Sequence, residues 1–395
     1  MNFIDYIKDQ QNNLRSEKYV QMLWCKVTDN PEEEICVTLE DEEIFQNHIP
    51  VEFTKFLKKC VRKLRDIKID EESVEWDKLD KKYFSALLYY ALQHEDVTMD
   101  NTLYAANIFF LINAICPSGR HFFYKVLYLK IMEVLKEFNT SQDMTGAGII
   151  MYLMDDFKTF LTKCSISEDL IVPTVSVLHD YTYCCNEVFE NIDLNISFEN
   201  LGYIAFVSLK ALVEQLSSQK NNDKKLFPIL LALTSNLKSA TNISRTVRLA
   251  HQRNVRLFIK GNFNKFSSRS FCLVTDMLKY VYLHSEYDDF DGIAQIIQQL
   301  PGEAHRNFLT FFQNSLLCDN VEFRRNSLNM VLPILNHPAE HETNEKRSAR
   351  SEILINSVVK LCADKDRDIQ QRALRILSEY SDSSAGCSIL QVSLI

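Results

Sequence analysis

The strongest constraint on this chain is an internal repeat near its C-terminus. Asp319 to Val331 can be laid on Asp364 to Leu377 so that Phe323 falls on Ile369, Ser327 on Ala373, Leu328 on Leu374 and Val331 on Leu377, an offset of 46 residues between positions 323 and 369. Each copy follows an apolar helical stretch, Phe308 to Leu317 and Ile353 to Leu361, that ends at or near a Cys. A period of roughly 40 to 47 residues built from two helices is the HEAT or armadillo pattern. In this reading the acidic residue opening each copy caps the second helix and favours its positive pole, while Ser or Ala lets the paired helix approach closely. One such hairpin cannot hide its apolar surface, so neighbours must stack in one dimension and leave a long surface for large partners. The expected fold class is an all-α, HEAT/armadillo-like helical-repeat solenoid.

The rest of the chain agrees with this. Tyr83 to Leu92 and Leu103 to Ile115 are almost wholly apolar, too long for typical strands, and rich in Ala and Leu, which points to buried helices. Further helices are expected at Phe122 to Phe138, Ile149 to Lys163, Leu201 to Leu216, Leu226 to Leu237, Phe271 to Leu283 and Gly292 to Leu300. Only eight glycines and eight prolines punctuate 395 residues, about a third of the usual share, which disfavours sandwiches and barrels. Polar breaks at 139–143, 217–223 and 337–346 separate the helices, and no shift in composition marks an interdomain linker. The organisation expected is an irregular helical segment over 1–200, HEAT-like repeats over 201–380 and a flexible or truncated tail over 381–395. Its apolar end, Ser388 to Ile395, suits the front part of a longer array.

Motifs for catalysis are weak. His337-Pro338-Ala339-Glu340-His341 fits the inverted zincin string, but Pro338 and the polar residues around it mark a loop, and a hydrolase would need ordered metal at His337 and His341. Thr145 to Ile149 has two glycines of a dinucleotide loop, Met151 where the third belongs and no preceding strand, so it reads as a helix start. Neither a Gly-Lys-Ser/Thr loop nor a Gly-x-Ser-x-Gly elbow occurs. Asp155-Asp156 and Asp288-Asp289 read as solvated carboxylates, and Tyr89-Tyr90 and Tyr181-Thr182-Tyr183 as core. The eleven cysteines are scattered without a Cys-x-x-Cys pair, which suits reduced, mostly buried thiols rather than zinc ligands. No apolar run reaches the roughly 20 residues of a membrane span. No enzyme activity, cofactor, metal, membrane or small-molecule substrate is expected.

Charge is more informative. The chain carries a net −9, yet Lys224 to Thr275 contains no Asp or Glu and ten cations. On a helix over Arg245 to Lys260, the side chains of Arg245, Arg248, Arg253, Arg256 and Lys260 share an arc of about 140°, opposite Val247, Ala250, Leu257 and Phe258. Lys265 and Arg269 extend the stretch. A second stripe, Lys55, Lys58, Lys59, Arg62 and Arg65, faces away from Phe56, Leu57, Cys60, Val61 and Leu64. Both are candidates for phosphates or an acidic partner, because clustered cations release counterions on binding DNA. A solvated face or pairing with nearby acids, such as Glu32 to Glu34 and Glu40 to Glu43, is the structural alternative.

From about Leu201 onward the chain resembles the N-terminal part of the D3-type HEAT-repeat subunits of condensin II. The resemblance rests on Asn200 to Leu209, on Leu300-Pro301-Gly302-Glu303 leading into Phe308-Leu309, and on Phe323 to Leu332, with Asp364 to Leu377 as the next repeat. The condensin I counterpart or another HEAT scaffold is also compatible. The resemblance implies a nuclear, chromosome-bound scaffold that helps a kleisin and paired structural-maintenance-of-chromosomes ATPases compact mitotic chromosomes, with contacts to DNA and chromatin. The competing reading is a helical-repeat adaptor for transport or trafficking that binds acidic protein partners.

Overall fold

A computed structural model describes residues 3–11, 17–29, 38–48, 53–67, 76–93, 97–116, 122–140, 147–184, 187–189, 192, 200–218, 223–235, 244–262, 265–266, 268–283, 290–339 and 341–381. Among these residues the regular structure is helical and no strand occurs. The chain divides into two compact units, Met1–Cys184 with Asp193–Gln215, and Cys185–Ile192 with Leu216–Ile395.

The first unit holds α1 (Phe3–Gln11), α2 (Glu17–Thr28), α3 (Leu39–His48), α4 (Phe53–Arg65), α5 (Lys81–Gln93), α6 (Met99–Ile115), α7 (Lys125–Thr140), α8 (Ala147–Lys163), α9 (Glu168–Thr182) and nearly all of α10 (Leu201–Ser217). Helices α4, α6 and α8 pack in order as one layer; α5, α7 and α9 form another, and α5 and α6 join them. Helix α6 carries apolar residues on every side, with Asn107 and Asn113 as polar exceptions in its C-terminal half, and the structure buries it on nearly every side. The alternation of layers therefore runs through residues 53–182, where the sequence alone offered only helical character.

The second unit contains α11 (Asp223–Ser235), α12 (Arg245–Asn262), α13 (Ser268–Leu283), α14 (Phe290–Ile297), α15 (Gly302–Leu316), α16 (Val321–Asn336), α17 (Asn344–Leu361) and α18 (Arg367–Ser381). Contacts run α11 to α13 to α15 to α17 in one layer and α12 to α14 to α16 to α18 in the other, with α15 on α16 and α17 on α18 closing hairpins. This is the two-layer stacking of a helical-repeat solenoid.

The 46-residue register holds at atomic detail. Arg324 donates from a guanidinium N–H to the Cys318 carbonyl at 2.8 Å, and Gln370, at the equivalent place, donates to the Asp364 carbonyl at 2.6 Å. Ser327 and Ala373 are both fully buried, as close helix approach requires. The caps differ from expectation. Asn320, not Asp319, caps α16 by accepting from the Phe323 N–H at 3.1 Å. Asp366, not Asp364, accepts from the N–H groups of Asp368 and Ile369 at 2.9 and 3.2 Å. Both true caps obey the same offset; Asp364 is freed for a cross-repeat ion pair described below.

Helix boundaries shift where side chains intervene. Helix α7 starts at Lys125, after the buried turn residue Phe122. Helix α14 stops at Ile297, and residues 298–300 close in tight turns. Helices α1, α2, α3 and α9 were not anticipated; α9 accommodates Pro173 and several β-branched residues, which mask a helical signal. Residues 382–395, with the apolar tail, lie outside the described residues, as do Asp288, Asp289 and Gly146.

Candidate functional site

Helix α12 sits in the same layer as α14, α16 and α18. Ser244 opens it, its hydroxyl accepting from the Val247 N–H at 3.3 Å. No acidic residue stands in its first turn, so the positive helix pole and Arg245 reinforce one another. Arg245 and Arg253 are exposed, whereas Arg248 and Arg256 are half-buried. The apolar face is wider than an isolated amphipathic helix would need: Ala250, Val255, Phe258 and Ile259 are buried, and so are His251, Gln252 and Asn254. Ile259 and Gln252 lie within the arc assigned to arginines, and Arg248 borders them with its Nε inside the protein. The basic face is therefore narrower than the spacing suggests and centres on Arg245, Arg253 and Arg256. The reason is packing in an array, which covers more of the helix circumference than a single contact does. Asn254 further ties α12 to 187–189, accepting from the Phe189 N–H at 2.8 Å and donating to the Glu187 carbonyl at 2.9 Å. Lys265 is half-buried in a short turn; the side chains of Lys260 and Arg269 lie outside the described residues.

Helix α4 matches its pattern. Phe56, Leu57, Cys60, Val61 and Leu64 are buried, while Lys55, Lys58, Lys59 and Arg62 are exposed. Lys59 places its ammonium 4.4 Å from the Tyr6 ring centre. Arg65 belongs to a different arrangement. It donates to Asp156 Oδ2 at 2.5 Å, and Asn107 donates to the same oxygen at 2.8 Å, linking α4, α6 and α8. The Arg65 guanidinium also lies 5.0 Å from the Tyr152 ring centre. Burial raises the Asp156 carboxyl above its ordinary range, against the opposing pull of Arg65 and Asn107. Arg65 is thus bound to its own fold, and the exposed stripe comprises Lys55, Lys58, Lys59 and Arg62.

The remaining motifs resolve into structure. His337 closes α16 and pairs with Asp291 of α14 at 2.7 Å. His341 lies against His305 instead, ring centres 5.1 Å apart, so the two motif histidines face different partners. His305 is buried on Gln298 at 2.9 Å; burial first, then repulsion from His341 and Arg350, pushes it down to about 3. Asp155 pairs with Lys158 at 2.6 Å, apart from the Asp156 pair. Tyr89, Tyr90 and Tyr181 are buried. Cys25, Cys60, Cys116 and Cys164 are buried thiols, but Cys184 is exposed and Cys272, Cys318 and Cys362 are half-buried. Among the described residues no three metal-binding side chains gather, and no helix is long and apolar enough to cross a membrane.

Spacing along the sequence does not expose the polar ladder between α16 and α18. Arg324 donates to Asp364 Oδ1 at 3.0 Å, with its Nε 2.9 Å from Oδ2, and both side chains are about nine-tenths buried. Next to it, Arg325 and Arg372 share Asp368, at 2.7 and 3.0 Å, and Arg372 also donates to Asn329 at 3.1 Å. Hydrogen bonds from Arg372 and then Arg325 hold the Asp368 carboxyl below its ordinary range. An arginine directly after an aromatic, set 40 residues before an Asp, was the available signal.

No protein-family profile and no curated protein matches the chain. Similar solved structures include a chain from the Pds5–Scc1 complex, described for its implications for cohesin function, at 14% identity and a TM-score of 0.41; the match covers 83% of this chain and 53% of that one. Another is an engineered protein at 12% identity and a TM-score of 0.27, covering 96% of this chain and 98% of the other. The chain thus spans about half the length of the first.

Proposed function

We propose that the chain is a non-enzymatic scaffold of a condensin-type chromosome complex, in the nucleus, that engages a kleisin and structural-maintenance ATPases and touches DNA through α12. The observation carrying this reading is a stacked helical array that presents Arg245, Arg253 and Arg256 within a stretch free of acidic residues. Such a surface binds phosphates by counterion release, without reading base sequence. The resemblance of Asn200 to Leu209 and of Phe323 to Leu332 to condensin D3-type subunits supplies the choice of complex. Affinity purification of the tagged chain from mitotic nuclei tests it: kleisin and ATPase subunits are expected. Recovery of coat or cargo proteins in their place would favour a trafficking adaptor and refute the proposal.

A further inference from the structure

Among the described residues, Arg350 of α17 has the most unmet hydrogen-bonding capacity. Its side chain is only 5% exposed, and its Nε, Nη1 and Nη2 are all buried without an acceptor. Burying donors in this way is costly unless an acceptor reaches them. Glu342 places Oε2 3.2 Å from Nη1, an ion pair outside hydrogen-bonding geometry, and that oxygen also lacks a donor. Arg347, one turn earlier on α17, is half-buried with its Nε likewise unpaired. Burial lowers the Arg350 guanidinium from its ordinary range, Glu342 opposes this, and Arg347 adds to it. Two guanidiniums and one carboxylate leave an excess of positive charge at this place. The charge reaches the start of α15, where burial, His341 and Arg350 together disfavour a proton on His305. The His341 ring covers the opening residue of that helix: a Cβ on Gly302 would meet its Cδ2 at 3.8 Å and its Nε2 at 3.9 Å. Pro301 precedes Gly302 and supplies no side-chain cap, so the first-turn N–H groups have no side-chain acceptor there. The helix pole adds about half an elementary charge of the same sign. His341 is exposed and Gly302 half-buried, so this corner is open to solvent on one side.

We propose that the first turn of α15, His341 and the guanidiniums of Arg347 and Arg350 form a binding site for a phosphate group. Backbone N–H groups at a helix N-terminus, joined by side-chain donors from a second helix and a loop, suit a tetrahedral oxyanion. A planar carboxylate is served by one guanidinium fork alone. Glu342 is the internal competitor, and its carboxylate turns to solvent as the phosphate enters. The assignment is independent of DNA contact through α12 and of the choice of complex.

Titration of the full chain with inorganic phosphate at constant ionic strength, with chloride as control, tests it. Hydrogen exchange by mass spectrometry over 301–309 and thermal denaturation are the readouts. Phosphate is expected to slow exchange in the first turn of α15 and to raise Tm along a saturating curve. The apparent affinity should fall about tenfold in Arg350→Met, as for the loss of one charge-assisted contact, and rise in Glu342→Gln. His341→Ala, at an exposed position, is the second weakening variant; circular dichroism checks that each variant folds. Tighter binding of a short phosphoserine peptide than of the inorganic ion assigns the group to a partner protein, and the reverse order assigns it to the free ion. Exchange unchanged by phosphate, or a Tm that rises linearly and equally in wild type and all three variants, as for a salt excluded from the surface, would overturn the proposal.

Discussion

Replacing Asp364 by Ala probes the junction that holds the last hairpin to the array. The Arg324 and Asp364 side chains are only 11% and 10% exposed, so solvent screening is slight. At a charge separation of about 4 Å and an effective dielectric of about 20, their attraction is near 4 kcal/mol, partly offset by desolvation already incurred. Removing the carboxylate leaves a buried guanidinium with only the Cys318 and Asp319 carbonyls, at 2.8 and 2.9 Å. It also removes the acceptor for the Asp366 N–H at 2.9 Å, worth about 1 kcal/mol. The expected loss is about 3 kcal/mol, and Arg324→Met should cost a similar amount. The Arg324→Met, Asp364→Leu pair should recover about 2 kcal/mol relative to additivity, because no charge is left stranded. An array opens in parts, so hydrogen exchange by mass spectrometry is the suitable readout: protection should fall in α17 and α18 and persist in α13. Single variants within about 0.5 kcal/mol of wild type, or losses that simply add, would refute the reasoning.

Leu328→Ala should destabilise the second unit by about 3 kcal/mol in urea titrations, because Leu328 is fully buried. The equivalent Leu374→Ala should cost under about 0.5 kcal/mol, since Leu374 is 57% exposed. Reversing Arg245, Arg253 and Arg256 to Glu should flatten the log-log salt dependence of DNA binding by about 3, measured by fluorescence anisotropy, and an unchanged slope would remove α12 from the interface. The Asp368 carboxyl is depressed in the folded chain, so its contribution is full above the ordinary carboxylate range and is lost as pH falls through its lowered value. The stability difference between wild type and Asp368→Asn should therefore shrink on acidification below about pH 4. Arg65→Ala should lower the stability of the first unit by about 1 to 3 kcal/mol, since Asp156, 13% exposed, retains only Asn107; thermal denaturation of the full chain reads it.

The helical class and the 46-residue register were legible in the sequence because both follow from local properties. Apolar runs such as Tyr83 to Leu92, sparse Gly and Pro, and the matching of Ser327 with Ala373 concern neighbours on one helix or one hairpin. The excess of cations after Lys224 is likewise a matter of composition. Which cations remain available was decided by tertiary structure. Arg65 is claimed by Asp156, 91 residues away, and Arg248 is half-buried with its Nε inside the protein. The same holds for Asp364, which reads as a cap until Arg324 of the preceding hairpin is placed beside it. Leu328 and Leu374 occupy equivalent positions, yet one is fully buried and the other is 57% exposed among the described residues. Periodicity records which face a helix can bury; only the stacked neighbour determines which face it does bury, because desolvation depends on atoms far away in the chain.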